Sequence, residues 1–83
     1  MKLIKFGAAW CNPCLSVDKN LESVNLDGYQ LEKLDVDVET DLASKYNIRG
    51  VPTLIVVDGD KELGRKVGTL STAQIQQWLS TFQ

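Results

Sequence analysis

Two cysteines, Cys11 and Cys14, stand three positions apart in the stretch Ala9-Trp10-Cys11-Asn12-Pro13-Cys14. Thiols at this spacing can cycle between dithiol and disulfide, and C-x-x-C within a βαβ pattern reads as redox chemistry. Behind them Cys14, Val17, Leu21 and Val24 trace the stripe of an amphipathic helix, with Asp18, Lys19 and Glu22 between. Cys14 therefore falls on the buried stripe. Cys11 falls about one turn earlier, at or just before the first helical residue, where unpaired backbone N–H groups and the positive end of the helix dipole favour an anion. Pro13 suits the first turn, where its missing N–H costs nothing. The pattern predicts an exposed Cys11 whose pKa lies below that of a free thiol, and a shielded, inert Cys14.

Other uses of the pair fit less well. A structural staple would close so small a loop that its chain-entropy gain is at its lowest. A metal centre takes about four ligands; two cysteines in a chain without histidine supply half of them, leaving only a site shared between two chains. No metal is expected. Inert core thiols conflict with the polar Asn12-Pro13 turn and with the helix-start position of Cys11.

Eighty-three residues, 43% of them hydrophobic, make a single domain spanning 1–83 with one core. A net charge of −2, with Lys, Arg, Asp and Glu interspersed, leaves no basic stripe for nucleic acid. The longest aliphatic run, Leu54 to Val57, is far short of a membrane span, and Lys2 and Lys5 enclose too few apolar residues for a signal peptide. A cytoplasmic protein with no membrane association is expected.

The elements that must position the cysteines follow from periodicity and turn signals. A strand over Lys2–Phe6 ends at Gly7 and delivers Trp10 and the thiols. A helix runs from about Asn12 to Asn25, Asp27-Gly28 turns the chain, and a second strand covers Gln30–Val36. This βαβ unit has parallel strands and a right-handed crossover. Thr40–Tyr46 is a two-turn helix ended by Asn47. Leu54–Asp58 is an apolar strand, Asp58-Gly59-Asp60 a hairpin turn, and Lys61–Val67 a return strand with Gly64 as a bulge. The last helix opens on Ser71 as N-cap, with Gln74 as capping-box partner and Leu70 and Ile75 as the staple. Ile75, Trp78, Leu79 and Phe82 form its core stripe. The order is βαβαββα: an α/β domain with a four-stranded mixed sheet and helices on both faces.

That order, with three separated motifs, resembles the thioredoxin family. Trp10-Cys11-Asn12-Pro13-Cys14 is similar to its W-C-G-P-C motif, with Asn in the Gly place. Tyr46-Asn47-Ile48-Arg49-Gly50-Val51-Pro52-Thr53 resembles the segment around its cis-proline, and Lys66-Val67-Gly68 with Leu70-Ser71 its final strand and helix start. The resemblance covers essentially all 83 residues, although the family's usual N-terminal strand and helix are not among them. It implies a minimal thioredoxin-like fold, with Cys11 as nucleophile, Cys14 as resolving thiol and Pro52 as a cis-proline against the dithiol. The Val51 backbone would pair with the substrate, and Trp10, Asn12, Pro13 and Gly68 would border the substrate groove.

Two departures carry consequences. Lys5 stands where the family has a buried acid, and Lys33 matches the lysine that often neighbours it, so the usual proton acceptor for Cys14 is missing. Either the Lys5 stem lies on apolar surface with its ammonium in solvent, or the ammonium sits near Cys14 and favours its thiolate. Asn12 should shift the redox potential through hydrogen bonding to the Cys11 thiolate.

The resemblance implies a monomeric dithiol–disulfide oxidoreductase that reduces disulfide-containing client proteins, ribonucleotide reductase being one type. It needs no cofactor and is recharged by an NADPH-dependent thioredoxin reductase or by glutathione. The alternative is a thioredoxin-like protein-binding module whose dithiol is incidental.

Overall fold

The computed structural model describes all of residues 1–83. The sheet is ordered β2-β1-β3-β4, with β1 (Lys2–Gly7) and β3 (Thr53–Asp58) at its centre. β1 runs parallel to β2 (Gln30–Asp35) and antiparallel to β3, which pairs antiparallel with β4 (Lys61–Val67). The inner strands are apolar almost throughout because both faces are covered. Leu3, Leu54 and Val56 pack toward α1 (Asn12–Leu21) and α3 (Thr72–Ser80), together with Val17, Leu21, Ile75 and Leu79. Ile4, Phe6, Ile55 and Val57 face the other way, under Leu42, Tyr46 and Ile48 from α2 (Thr40–Lys45) and the loop after it.

The α1 helix is shorter than its apolar stripe suggests, ending at Leu21 rather than Asn25. The next three amides bond three residues back, to Lys19, Asn20 and Leu21, so the chain tightens out of the α-helical pattern. Gln76 of α3 fixes the departure: its Oε1 accepts from the Asn25 amide at 2.7 Å, and its Nε2 donates to the Asn25 carbonyl at 3.2 Å. Val24 stays buried in the core outside the helix. The other differences are single residues: β1 gains Gly7, β3 gains Thr53, β2 stops at Asp35 and α2 at Lys45.

Asn47 ends α2 by taking the left-handed conformation, φ 58°. The Asn47 amide then reaches the Ser44 carbonyl and the Ile48 amide the Ala43 carbonyl, the two bonds of a Schellman cap. On β4, Gly64 faces Val56 and Glu62 faces Val57, so the extra residue is Leu63. Gly64 beside it serves a second purpose. A Cβ there would lie 2.9 Å from Phe82 Cζ, so the missing side chain lets α3 sit close on the edge strand. α3 opens with the full capping box: the Gln74 amide donates to Ser71 Oγ at 3.1 Å, and the Ser71 amide to Gln74 Oε1 at 2.9 Å.

Candidate active site

The β1 strand leads straight into the cysteine loop, and Cys11 is the N-cap of α1. Its Sγ accepts a hydrogen bond from the Cys14 amide at 3.2 Å, so sulfur occupies the place of a capping oxygen. Asn12 and Pro13 take the first helical positions and are exposed. Cys11 and Cys14 are joined in a disulfide, with their Cα atoms 5.3 Å apart.

The expected exposure of Cys11 is not found: it is only 4% accessible, against 1% for Cys14. Bonded to Cys14, it lies in a small cluster with Ala8, under Val36 and Val51. What faces solvent here is Trp10, at 69% exposure, which rules out a core role for that ring. The indole is held on the surface by its Nε1–H, which donates to Asp37 Oδ2 at 2.8 Å. Trp10, Val36, Ile48, Arg49, Gly50 and Val51 line a shallow groove beside the disulfide.

The Val51–Pro52 peptide bond is cis and Pro52 is buried. Thr53 Oγ1 donates to the Gly50 carbonyl at 2.7 Å, closing the turn from the far side. No hydrogen bond within the chain uses the Val51 amide or carbonyl. Gly68 adjoins the Pro52 turn, donating its amide to the Pro52 carbonyl at 2.9 Å with φ 99°, a backbone state that favours glycine.

Lys5 is buried, which excludes the solvent-reaching alternative. Its Nζ lies 3.0 Å from Asp18 Oδ1 on α1, and Lys33 Nζ approaches the same oxygen at 3.8 Å from the exposed side. The contact is a charge contact: Asp18 Oδ1 accepts no hydrogen bond of good geometry, although it is buried. Asp18 and Asp37 complete the site, and the sequence reading assigned neither. Asp18 was accessible to it, since four positions after Cys14 puts both on one helix face. Asp37 carried no such signal, because only the fold brings it under Trp10.

A scan of family models matches residues 1–81 to thioredoxin. The thioredoxin of Buchnera aphidicola subsp. Baizongia pistaciae is 34% identical over 84 residues, covering 96% of this chain and 76% of its relative. The chain belongs to the thioredoxin family. A prophage-derived thioredoxin-like protein of Bacillus subtilis, YosR, is 41% identical over 69 residues, 82% of each chain. Among solved structures, a mutant thioredoxin from Halobacterium salinarum superposes with a TM-score of 0.89 at 30% identity, covering 98% of this chain and 73% of the other. Chloroplastic thioredoxin z gives 0.82 at 35%, covering 96% and 75%. The thioredoxin-like fold and the redox reading of C-x-x-C both stand: the protein is a thiol–disulfide oxidoreductase. Disulfide-containing substrates and a thioredoxin reductase as reductant come with the family. No helix is long and apolar enough to cross a membrane.

Proposed function

We propose that Cys11 is the attacking thiol and Cys14 the resolving one in the reduction of protein disulfides by a monomeric, cytoplasmic protein. The observation that carries the order of attack is the Cys14 amide donating to Cys11 Sγ at the start of α1. That bond and the helix dipole both stabilise negative charge on Cys11. The Cys11 thiolate attacks a client disulfide, one client sulfur leaves as a thiol, and a mixed disulfide forms. Cys14 then attacks Cys11, releasing the second client thiol and leaving Cys11–Cys14 oxidised.

The groove gives the client its seat. Val51 offers an amide and a carbonyl that nothing else in the chain uses, in the loop before β3, where an extended segment can add backbone hydrogen bonds. Trp10, Asn12 and Pro13 form the exposed rim, and Gly68 borders the groove beside Pro52, whose carbonyl it bonds. Recharging falls to an NADPH-dependent thioredoxin reductase. The alternative of a protein clamp with an incidental dithiol requires the client to bind equally well without either thiol.

Insulin reduction with dithiothreitol tests the assignment. Cys11→Ser should return the rate to the uncatalysed one. Cys14→Ser should trap clients as mixed disulfides, because attack survives and resolution does not. If both variants captured clients in equal yield, the order of attack would be wrong.

A further inference from the structure

We infer that Lys5 is a positioning residue for the second half of the reaction: its buried ammonium stabilises the Cys14 thiolate, and Asp18 holds it there. The inference rests on the assignment of Cys14 as resolving thiol.

Gly7 shows where the ammonium lies. A Cβ built on Gly7 would be 2.5 Å from Lys5 Nζ and 3.3 Å from Cys14 Sγ, so cation and sulfur flank the same empty point. Those lengths laid end to end cap their separation at about 6 Å, within the reach over which one charge biases another group's ionisation. Any side chain larger than hydrogen at position 7 would occupy the space between them. The missing Cβ thus leaves the ammonium a place beside the resolving thiol.

The charges around this point come from three elements. Lys5 lies on β1, Asp18 on α1, and Lys33 and Asp35 on β2, and all four line one open cleft with Gly7 and Ala8. On the other side, β3 places apolar Leu54 opposite Lys5. The first turn of α1 carries no acid. Asp35 is turned to its own loop, its Oδ1 accepting from the Asp37 amide at 2.8 Å. Lys33, half exposed, meets Asp18 from the solvent side. The buried ammonium and Cys14 Sγ thus face the same point beside Gly7, and Asp18 both anchors the ammonium and partly offsets it.

In the resolving step the Cys14 proton leaves to water through this cleft, and the thiolate attacks Cys11 Sγ of the mixed disulfide. The Cys11–client S–S bond breaks as the Cys11–Cys14 bond forms. In this step the Cys14 sulfur is oxidised, the Cys11 sulfur stays at the disulfide level, and the client sulfur is reduced, departing as a thiolate that takes up a proton. Lys5 acts on the first event only, by making the thiolate more abundant at low pH.

The test is stopped-flow reaction of the reduced protein with Ellman's reagent from pH 6 to 9. The first thionitrobenzoate released reports attack by Cys11, the second resolution by Cys14. Lys5→Met should slow the second release about tenfold at pH 6, equivalent to one unit on the pH axis, and by much less at pH 8.5, where the thiol ionises unaided. Lys5→Arg should restore the profile. Asp18→Asn, which removes the offsetting charge, should move the second phase the other way, toward lower pH. If Lys5→Met does not fold because it orphans the Asp18 carboxylate, the Lys5→Met/Asp18→Asn double variant is read against Asp18→Asn alone, and its second release should be the slower of the two at pH 6. A merely structural pair would slow in both single variants equally at every pH, and that result, or an unchanged profile, overturns the inference. A wild-type protein releasing only one thionitrobenzoate would instead overturn the assignment of Cys14.

Discussion

At the residue scale, the site is built from short polar contacts made by side chains far apart in sequence. The spacing of Cys11 and Cys14 and the place of Pro13 were legible because helix starts obey local rules. The burial of Cys11 was not, since Ala8, Val36 and Val51 close over it only in the folded chain. Lys5 was legible as an anomaly, and its resolution needed Asp18 and the empty side of Gly7. Trp10 carries a prediction of the same kind. An indole 69% exposed keeps one orientation only if something holds it, and the Asp37 carboxylate does so through a charge-assisted hydrogen bond. Asp37→Ala should free the ring and lower kcat/KM for insulin severalfold, because a bulky client needs the groove wall preformed. The first thionitrobenzoate release from Ellman's reagent, which needs little of the groove, should change far less. Equal losses on both substrates would show that Asp37 acts on the thiols rather than on the groove.

At the scale of elements, local signals read well where the chain decides its own conformation. The capping box of Ser71 and Gln74, the left-handed Asn47 and the Asp58-Gly59-Asp60 hairpin each depend on a few neighbours, and each is present. The end of α1 was misjudged because Gln76, 51 residues away, takes both backbone groups of Asn25. The bulge on β4 was legible in outline, while the reason for Gly64, the approach of Phe82, belongs to packing. α3 in turn is tied down at both ends: Tyr29 donates its hydroxyl to the Leu79 carbonyl at 2.6 Å, and burial raises the Tyr29 pKa. With no acid in its first turn or base in its last to favour the dipole, α3 depends on its N-cap. Ser71→Ala should cost about 1 kcal/mol, lowering the Tm by about 4–8 °C for a domain of this size. The redox rate should be retained. A Tm unchanged within error would mean that core contacts alone hold the helix.

At the scale of the whole molecule, one sheet is shared by two layers of unequal thickness, with two helices on the dithiol side and the single short α2 on the other. The alternation of apolar residues made the two faces legible, but not what holds the thin layer to the edge strand. Arg65 does this. It donates through Nη2 to the Tyr46 carbonyl at the end of α2 at 2.8 Å, and through Nε and Nη2 to both Glu62 oxygens, at 2.8 and 2.7 Å. Glu62 thus orients the guanidinium that joins α2 to β4. The Arg65 hydrogen bonds hold the Glu62 carboxyl below its ordinary pKa, and the same pair raises that of Arg65. A carboxyl lowered on folding contributes stability that is fully present above its unfolded value of about 4.3 and is lost as pH falls through the lowered folded value. The pair is one-third exposed, which limits its worth to about 0.5–1 kcal/mol after solvent screening. Glu62→Gln should therefore lower the Tm by about 2–8 °C at pH 7, and the gap between variant and wild type should close as both are melted at successively lower pH. A gap that persisted undiminished to pH 2 would show that the loss comes not from the Glu62 charge but from the amide NH2 set against the Arg65 donors.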